Sequence, residues 1–193
     1  MIPHAVVLAI AAALPIIVQA QAPAKGPGKE EQLVRGRYLV EGIAACGNCH
    51  SARDQKGQVI AGKGLSGGMV FDAPVFKAVA PNITPDPDTG IGKWTDAQLG
   101  KAIREGIRPD GSVIGPPMPI PFLRGVSDQD LAAMIAYLRS QPAVKNAVEK
   151  SSYKIKLPPN YGPAVGKVAH PDESNNVRYG GCLVAMGHCM DCH

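Results

Sequence analysis

Two pairs of cysteines in this chain share one pattern, in which the second cysteine is followed at once by a histidine. The two copies are Cys46, Cys49 and His50, and Cys189, Cys192 and His193. Cysteines at this spacing lie on one side of a helical turn, so their sulfurs can form thioethers with the two vinyl groups on one edge of a haem. The adjacent histidine then lies under the iron as an axial ligand. The pattern is typical of covalent haem attachment.

Two other chemistries use the same pair of cysteines. A redox-active dithiol needs only the pair, whereas a zinc site needs two more ligands, and the sequence near Cys46 and Cys49 supplies none. The chain also contains Cys182, and five cysteines in an exported protein would first suggest disulfides. The histidine directly after each pair favours haem. We expect Cys182 to be a buried small apolar residue, with a reactive thiol as the alternative.

The opposite face of the iron needs a second ligand or remains an open site. The candidates are the histidines and Met69, Met118, Met134, Met186 and Met190. Met134 shares helical spacing with apolar neighbours, which favours core packing, and Met69 lies in a glycine-rich stretch that we expect to be flexible. Met118 lies between prolines, which restrict the backbone and reduce the entropy lost when a side chain is held on a metal. We therefore predict Met118 as the distal ligand and expect His170 and His188 to lie at the surface.

A haem iron bound by His50 and Met118 has both axial positions filled. This ligand pair favours the reduced state more than two histidines would. A filled iron does not readily bind oxygen or peroxide, so the sequence predicts electron transfer, with no catalytic residue at the haem. An open iron would suit a haem enzyme of a peroxidase-like or sulfur-oxidising kind, and an exported structural or metal-binding domain without haem is the second alternative. We also expect the N–H of the other ring nitrogen of His50 to donate a hydrogen bond to a backbone carbonyl.

The first twenty residues have the composition of a signal peptide. An uncharged apolar run of 14 residues extends from Ala5 to Val18, which is too short for a comfortable membrane span. No lysine or arginine precedes the run, so an uncleaved anchor is the alternative. The formal charge is +4, but the basic residues are scattered, and we predict no nucleic-acid partner.

Apolar spacing and capping residues predict short helices that are separated by long loops. The first helix is expected at 30–45, the second begins at Thr95 with a capping box, and the third begins at Ser127 with carboxylates in its first turn. Gly36 would let the first and third helices approach closely. The loop at 51–93 is too long for an empty connector, so we expect it to wrap around the cofactor.

These residues resemble class I cytochrome c domains. The closer likeness is to the multi-haem cytochrome subunits of bacterial periplasmic dehydrogenases, such as alcohol and gluconate dehydrogenases and enzymes of the molybdenum hydroxylase type. The stretches that carry the resemblance are 35–40, 46–50, 81–86, 89–94, 116–119, 127–131 and 135–140. It implies an all-α fold with haem attached at Cys46 and Cys49 and with His50 and Met118 as axial ligands. Ala52 stands where the family often has proline.

The resemblance resumes at 177, after an internal repeat that relates residues 36–40 to residues 180–184. The predicted division is a signal peptide at 1–20, a linker at 21–32, a first cytochrome c domain at 33–141, a Pro-rich linker at 142–176 and the first helix of a second domain at 177–193. Since the second motif ends the chain, we expect a C-terminally truncated piece of a multi-haem protein.

The same resemblance implies cofactors, partners and a location. One haem c is expected in the first domain, and a second at Cys189, Cys192 and His193 in the intact protein. The expected partners are the catalytic subunit of a dehydrogenase and a quinone or terminal oxidase as the electron acceptor. The expected location is the periplasm, with association to the outer face of the inner membrane.

Overall fold

A computed structural model of the protein describes residues 27–191 and residue 193. The predicted signal peptide and Cys192 lie outside these residues. The helices of the described part are α1 (Lys29–Arg37), α2 (Gly47–His50), α3 (Asp96–Glu105), α4 (Ile120–Leu123), α5 (Asp128–Ser140) and α6 (Asn176–Met186). A π-helical segment (Tyr38–Ile43) continues α1, and a 3₁₀ turn (Cys189–Asp191) follows α6. Within residues 27–191 and 193, no helix has the length and apolar character needed to cross a membrane.

The first predicted helix is present as α1 and the π-helical segment, and α1 packs against α5. The contact depends on Gly36. A Cβ atom added there would overlap the carbonyl oxygen of Ala133 and lie 2.7 Å from the Cβ of Tyr137. Only glycine permits two helices to approach this closely, so the expected close approach of the first and third predicted helices is confirmed.

The other two predicted helices are α3 and α5. In α3 the Thr95 hydroxyl accepts the backbone N–H of Gln98 at 3.2 Å, and the Gln98 side chain accepts the N–H of Thr95 at 2.8 Å. This is the predicted capping box. The helix ends at Gly106, whose φ of 67° lies in the left-handed region that favours glycine. At α5 the Ser127 hydroxyl accepts the N–H of Asp130 at 3.0 Å.

The expectation of an all-α fold needs one correction, because the loop at 51–93 contains a β-hairpin. Strands β1 (Val70–Ala73) and β2 (Phe76–Val79) are antiparallel, with Val70 opposite Val79. The short strand β3 (Ser152–Tyr153) pairs antiparallel with β2 and completes a three-stranded sheet. Apolar and aromatic residues flank the Pro74–Val75 turn, which suits a half-exposed hairpin.

The segment at 142–175, which we call the strap, follows α5 and contacts the first domain at many points. Asn82 donates its side-chain N–H to the Val144 carbonyl at 2.7 Å. Further along, the backbone N–H of Asp128 donates to the Val168 carbonyl at 2.9 Å. The strap thus differs from a free linker, although its proline content suggested one. The predicted domain boundaries stay predictions.

Helix α6 lies at the position predicted for the first helix of a second domain. Arg35 connects it to the first domain, since its guanidinium donates to Asp130 at 2.8 Å and to the Tyr179 hydroxyl at 2.6 Å. Met186, near the end of α6, is only 3% exposed and belongs to the main core. Cys182 is exposed, so the expectation that it is buried is wrong: it lies one helical turn before Met186, outside the part of α6 that is buried in the core.

Candidate haem site

His50 lies at the end of α2 and is buried, with 8% of its surface exposed. Its Nδ1 lies 2.8 Å from the carbonyl oxygen of Pro81. Because a carbonyl can only accept, Nδ1 carries the proton and Nε2 is left with a free lone pair. The predicted hydrogen bond from His50 to a backbone carbonyl is therefore present. Burial lowers the pKa of His50, which favours the neutral ring that a metal requires.

The second ring nitrogen of His50 is open to a ligand. Within the described residues this nitrogen makes no hydrogen bond. The fully buried side-chain nitrogens that lack a hydrogen-bond partner there belong to Arg104 and Arg124, and Nε2 of His50 is not among them. An imidazole that is held by one nitrogen and open at the other is the arrangement expected of a metal ligand.

The loop after His50 fixes the Pro81 carbonyl in place. The Gly67 N–H donates to the His50 carbonyl at 2.6 Å, and Gly67 has a φ of 79°. A Cβ atom at Gly67 would lie 2.5 Å from the Pro81 carbonyl carbon, so the two backbones are in direct contact. Sequence reasoning missed the roles of Gly67 and Pro81. The glycine pair at 67–68 was the available signal, but it suggested flexibility instead.

Within the described residues, neither cysteine of the first motif forms a disulfide, so both sulfurs are available for attachment to haem. Cys46 is partly buried and Cys49 is exposed, and burial raises the pKa of the Cys46 thiol to about 11. Ala45, with a φ of 45°, turns the chain from the π-helical segment into α2. This left-handed conformation is unusual for alanine and brings the motif back against the core.

Met118 lies between Pro117 and Pro119, just before α4. It is partly buried, and both Met118 and Cys46 pack against the same core cluster. The other methionines are placed differently. Met134 is 2% exposed and packs in the core, as expected, and Met190 is 68% exposed. Met69 extends the hairpin, since its carbonyl accepts the N–H of Ala80 at 2.9 Å, so its segment is more ordered than expected.

Half-buried apolar side chains also line the margin of this core. They are Ile43, Ile83, Trp94, Ile103 and Leu131. Such a margin can contact the faces of a flat apolar ring. Two thiols at haem spacing, an imidazole with a free nitrogen and a thioether on the same core together fit haem c. Within the described residues, no three histidine, cysteine, aspartate or glutamate side chains gather as another metal site would require.

The second motif has different surroundings. Cys189 and His193 are both exposed, and Cys192 lies outside the described residues. His188 is half-buried, with Nδ1 4.0 Å from Asp191. His170 is partly buried, since its ring nitrogens lie 3.1 Å from the Ser127 hydroxyl and 3.2 Å from Glu173.

Comparison with known proteins extends these observations. The cytochrome c family model matches residues 33–142. One subunit of the nicotinate dehydrogenase of Pseudomonas putida is 34% identical over 89% of this chain and 15% of its own length. The cytochrome c subunit of the quinone-type alcohol dehydrogenase of Gluconobacter oxydans is 30% identical over 95% of this chain and 40% of its own.

A diheme cytochrome c-type protein of Cereibacter sphaeroides is 34% identical over 77% of this chain and 52% of its own length. The chain thus spans between 15% and 52% of these relatives. The family match covers the first motif, His50, Pro81 and Met118 in one continuous stretch. The chain therefore belongs to the cytochrome c family.

Proposed function

We propose that this chain carries haem c on Cys46 and Cys49, with His50 and Met118 as axial ligands, and that it transfers electrons. When bound, the haem supplies an iron that changes oxidation state by one electron. The observation that carries the proposal is the buried ring of His50, whose Nδ1 is held by Pro81 while Nε2 stays free.

Each residue has a distinct part in this proposal. The two thioethers keep the cofactor attached outside the cell. Pro81 fixes the tautomer and orientation of His50, and the hydrogen bond increases the basicity of the coordinating nitrogen. Met118 would supply the second ligand to the iron, which would keep oxygen and peroxide from it and favour outer-sphere electron transfer over catalysis.

The relatives support a more specific role. One is named as a subunit of nicotinate dehydrogenase and another as the cytochrome c subunit of a quinone-type alcohol dehydrogenase. We infer that this protein receives electrons from the catalytic subunit of a dehydrogenase in the periplasm and passes them to a quinone or a terminal oxidase. The diheme relative supports a second haem on Cys189, Cys192 and His193.

Covalent haem is tested by staining a denaturing gel for haem after expression with a cytochrome c maturation system. To isolate the first site, Cys189 and Cys192 are both replaced by alanine, and this double variant is called the parent chain. That parent should stain, and adding Cys46→Ala and Cys49→Ala should abolish the stain. Adding Cys182→Ala instead is the matched control and should leave it unchanged. An unstained parent chain would refute the proposal.

The choice between electron transfer and a haem enzyme depends on Met118. In the parent chain, the ferric protein should show the methionine-to-iron charge-transfer band and react slowly with peroxide. Met118→Ala should abolish the band and speed the reaction, whereas Met190→Ala should change neither. A band that survives in Met118→Ala would mean that another residue occupies the distal position.

A further inference from the structure

The loop that carries Met118 has few backbone hydrogen bonds of its own. We call residues 115–119 the Met118 loop. Three of its five residues are prolines, which carry no backbone N–H. Before the loop, the Ile114 N–H donates to the backbone carbonyl of Gly106 at 2.7 Å. At its end, the Ile120 N–H donates to the backbone carbonyl of Met118 at 2.9 Å. The middle of the loop must therefore be held by other parts of the chain.

Tyr153 of the strap holds the first half of the Met118 loop. Its hydroxyl donates to the Pro116 carbonyl at 3.0 Å. Its ring lies against Gly115, where an added Cβ would be 2.5 Å from the ring carbon that bears the hydroxyl. Tyr153 is itself fixed by strand β3, where it pairs with Phe76 and the two ring centres are 5.9 Å apart.

Tyr161 makes a second contact of the same kind. Its hydroxyl donates to the Ile114 carbonyl at 2.8 Å. Its ring lies against Gly106, where an added Cβ would be 3.0 Å from two ring carbons. Burial raises the pKa of Tyr161, so the hydroxyl keeps the proton that it donates. Two glycines thus make room for two tyrosine rings beside the segment that leads to Met118.

The strap also reaches the segment that holds His50. The Val144 carbonyl accepts the side-chain N–H of Asn82 at 2.7 Å, and Asn82 directly follows Pro81. The Asn146 side chain donates to the Ser66 carbonyl at 2.9 Å, next to Gly67. One continuous segment therefore contacts the surroundings of both predicted axial ligands.

We propose that the strap is part of the haem site and that Tyr153 and Tyr161 are positioning residues for Met118. This inference rests on the proposed function, because it assumes that Met118 binds the iron. The two hydroxyls favour the arrangement of the Met118 loop in which the thioether stays on the metal. Both tyrosines lie beyond residue 142, where the family match ends.

An external ligand measures how firmly the loop is held. Imidazole binds ferric iron only in molecules whose methionine has left, so its apparent affinity rises with the population of that open state. Loss of one hydrogen bond that favours the closed loop should raise this population roughly fivefold. The larger open population is measured as a higher affinity for imidazole, while the iron and the first motif stay unaltered.

The experiment uses the haem-loaded chain with Cys189 and Cys192 replaced by alanine, so that only the first haem is observed. Ferric Tyr153→Phe and Tyr161→Phe are titrated with imidazole, and the methionine-to-iron band is followed. Each should bind imidazole roughly fivefold more tightly than the parent chain, and the double variant more tightly than either. Tyr179→Phe is the matched control. It also removes a hydroxyl that forms a hydrogen bond, but to Arg35, so its imidazole affinity should equal that of the parent.

A second variant guards against misfolding of the tyrosine variants. Gly115→Ala keeps both hydroxyls but places a methyl group against the Tyr153 ring, and it should raise the imidazole affinity in the same direction. The positioning role would be overturned if Tyr153→Phe, Tyr161→Phe and Gly115→Ala all left the imidazole affinity unchanged while the parent chain showed a normal methionine-to-iron band. The proposed function would then remain intact. Covalent haem without the band in the parent chain would overturn both Met118 ligation and the role of the strap.

Discussion

The two motifs have the same residue pattern, yet their surroundings differ. In the first, His50 is buried and held by Pro81 at 2.8 Å, and the strap contacts the loops on both sides of the site. In the second, Cys189 and His193 are exposed. The spacing of cysteines and histidine identifies the attachment chemistry, whereas the packing around it determines how firmly the histidine is oriented.

The same contrast extends to the repeated helices. Gly36 of α1 contacts α5 directly, while Gly180, its counterpart in the repeat, would have no atom within 4 Å of an added Cβ. Tyr38 and its counterpart Cys182 are both exposed, but Val40 is fully buried whereas its counterpart Val184 is 46% exposed. Local sequence similarity between the two units therefore does not carry over into similar packing within the described chain.

The largest expected effect comes from removing the two histidines separately. His50→Ala should lower the free energy of unfolding of the haem-loaded protein by about 3 kcal/mol or more, because it leaves a cavity and removes the donor to Pro81. In the chain with Cys189 and Cys192 replaced by alanine, so that only the first haem is present, His193→Ala lies at an exposed site and should change it by less than about 0.5 kcal/mol. Denaturant titration measures both, and equal losses would show that the two sites do not differ as described.

A smaller effect should separate the two repeated glycines. Gly36→Ala should destabilise the protein by about 1–3 kcal/mol, since α1 must move away from Ala133. Gly180→Ala lies within α6 and should be neutral or stabilising by up to about 1 kcal/mol. Thermal unfolding of both variants tests this. Similar melting temperatures for the two would mean that the α1–α5 contact is looser than the structure indicates.

The smallest effect concerns acid sensitivity of the loop that follows Pro81. The hydroxyl and backbone N–H of Thr89 donate to Asp86, which holds the pKa of that carboxyl below its ordinary value. The pKa of Asp86 is lower in the folded state than in the unfolded state, where it is about 4. Asp86 therefore stabilises the fold at pH values above the unfolded pKa, and this stabilisation is lost as the pH falls through the folded pKa. Asp86→Asn should be less stable than the parent at neutral pH, and the difference should shrink in acid. A difference that is constant across pH would exclude this contribution.

Sequence reasoning succeeded where local signals are strong. Three of these predictions depend only on neighbours within a few positions or on one helix crossing. They concern the capping box at Thr95, the start of α5 at Ser127 and the small residue at Gly36. The hydrogen bond from His50 to a carbonyl was predictable from the chemistry of a coordinating histidine. Its acceptor, Pro81, lies 31 residues away and could not be read from the spacing.

The misses share a physical cause, which is contact between distant segments. The β-hairpin was hidden in a loop that glycines and prolines made irregular, and β3 pairs with β2 across more than seventy residues. The strap is rich in proline, and its composition did not indicate the contacts that it makes with the first domain. Side chains such as Tyr153 donate to distant carbonyls. Such bonds leave no periodic pattern in the sequence.

The most direct test of the account is nuclear magnetic resonance of the reduced, haem-loaded protein with labelled methionine methyl groups. Cys189 and Cys192 are replaced by alanine so that only the first haem is present. One methyl resonance should be shifted far upfield by the ring current of the haem, and it should vanish in Met118→Ala and persist in Met134→Leu. Covalently attached haem with the Met118 methyl in the range of the other methionines would contradict the account.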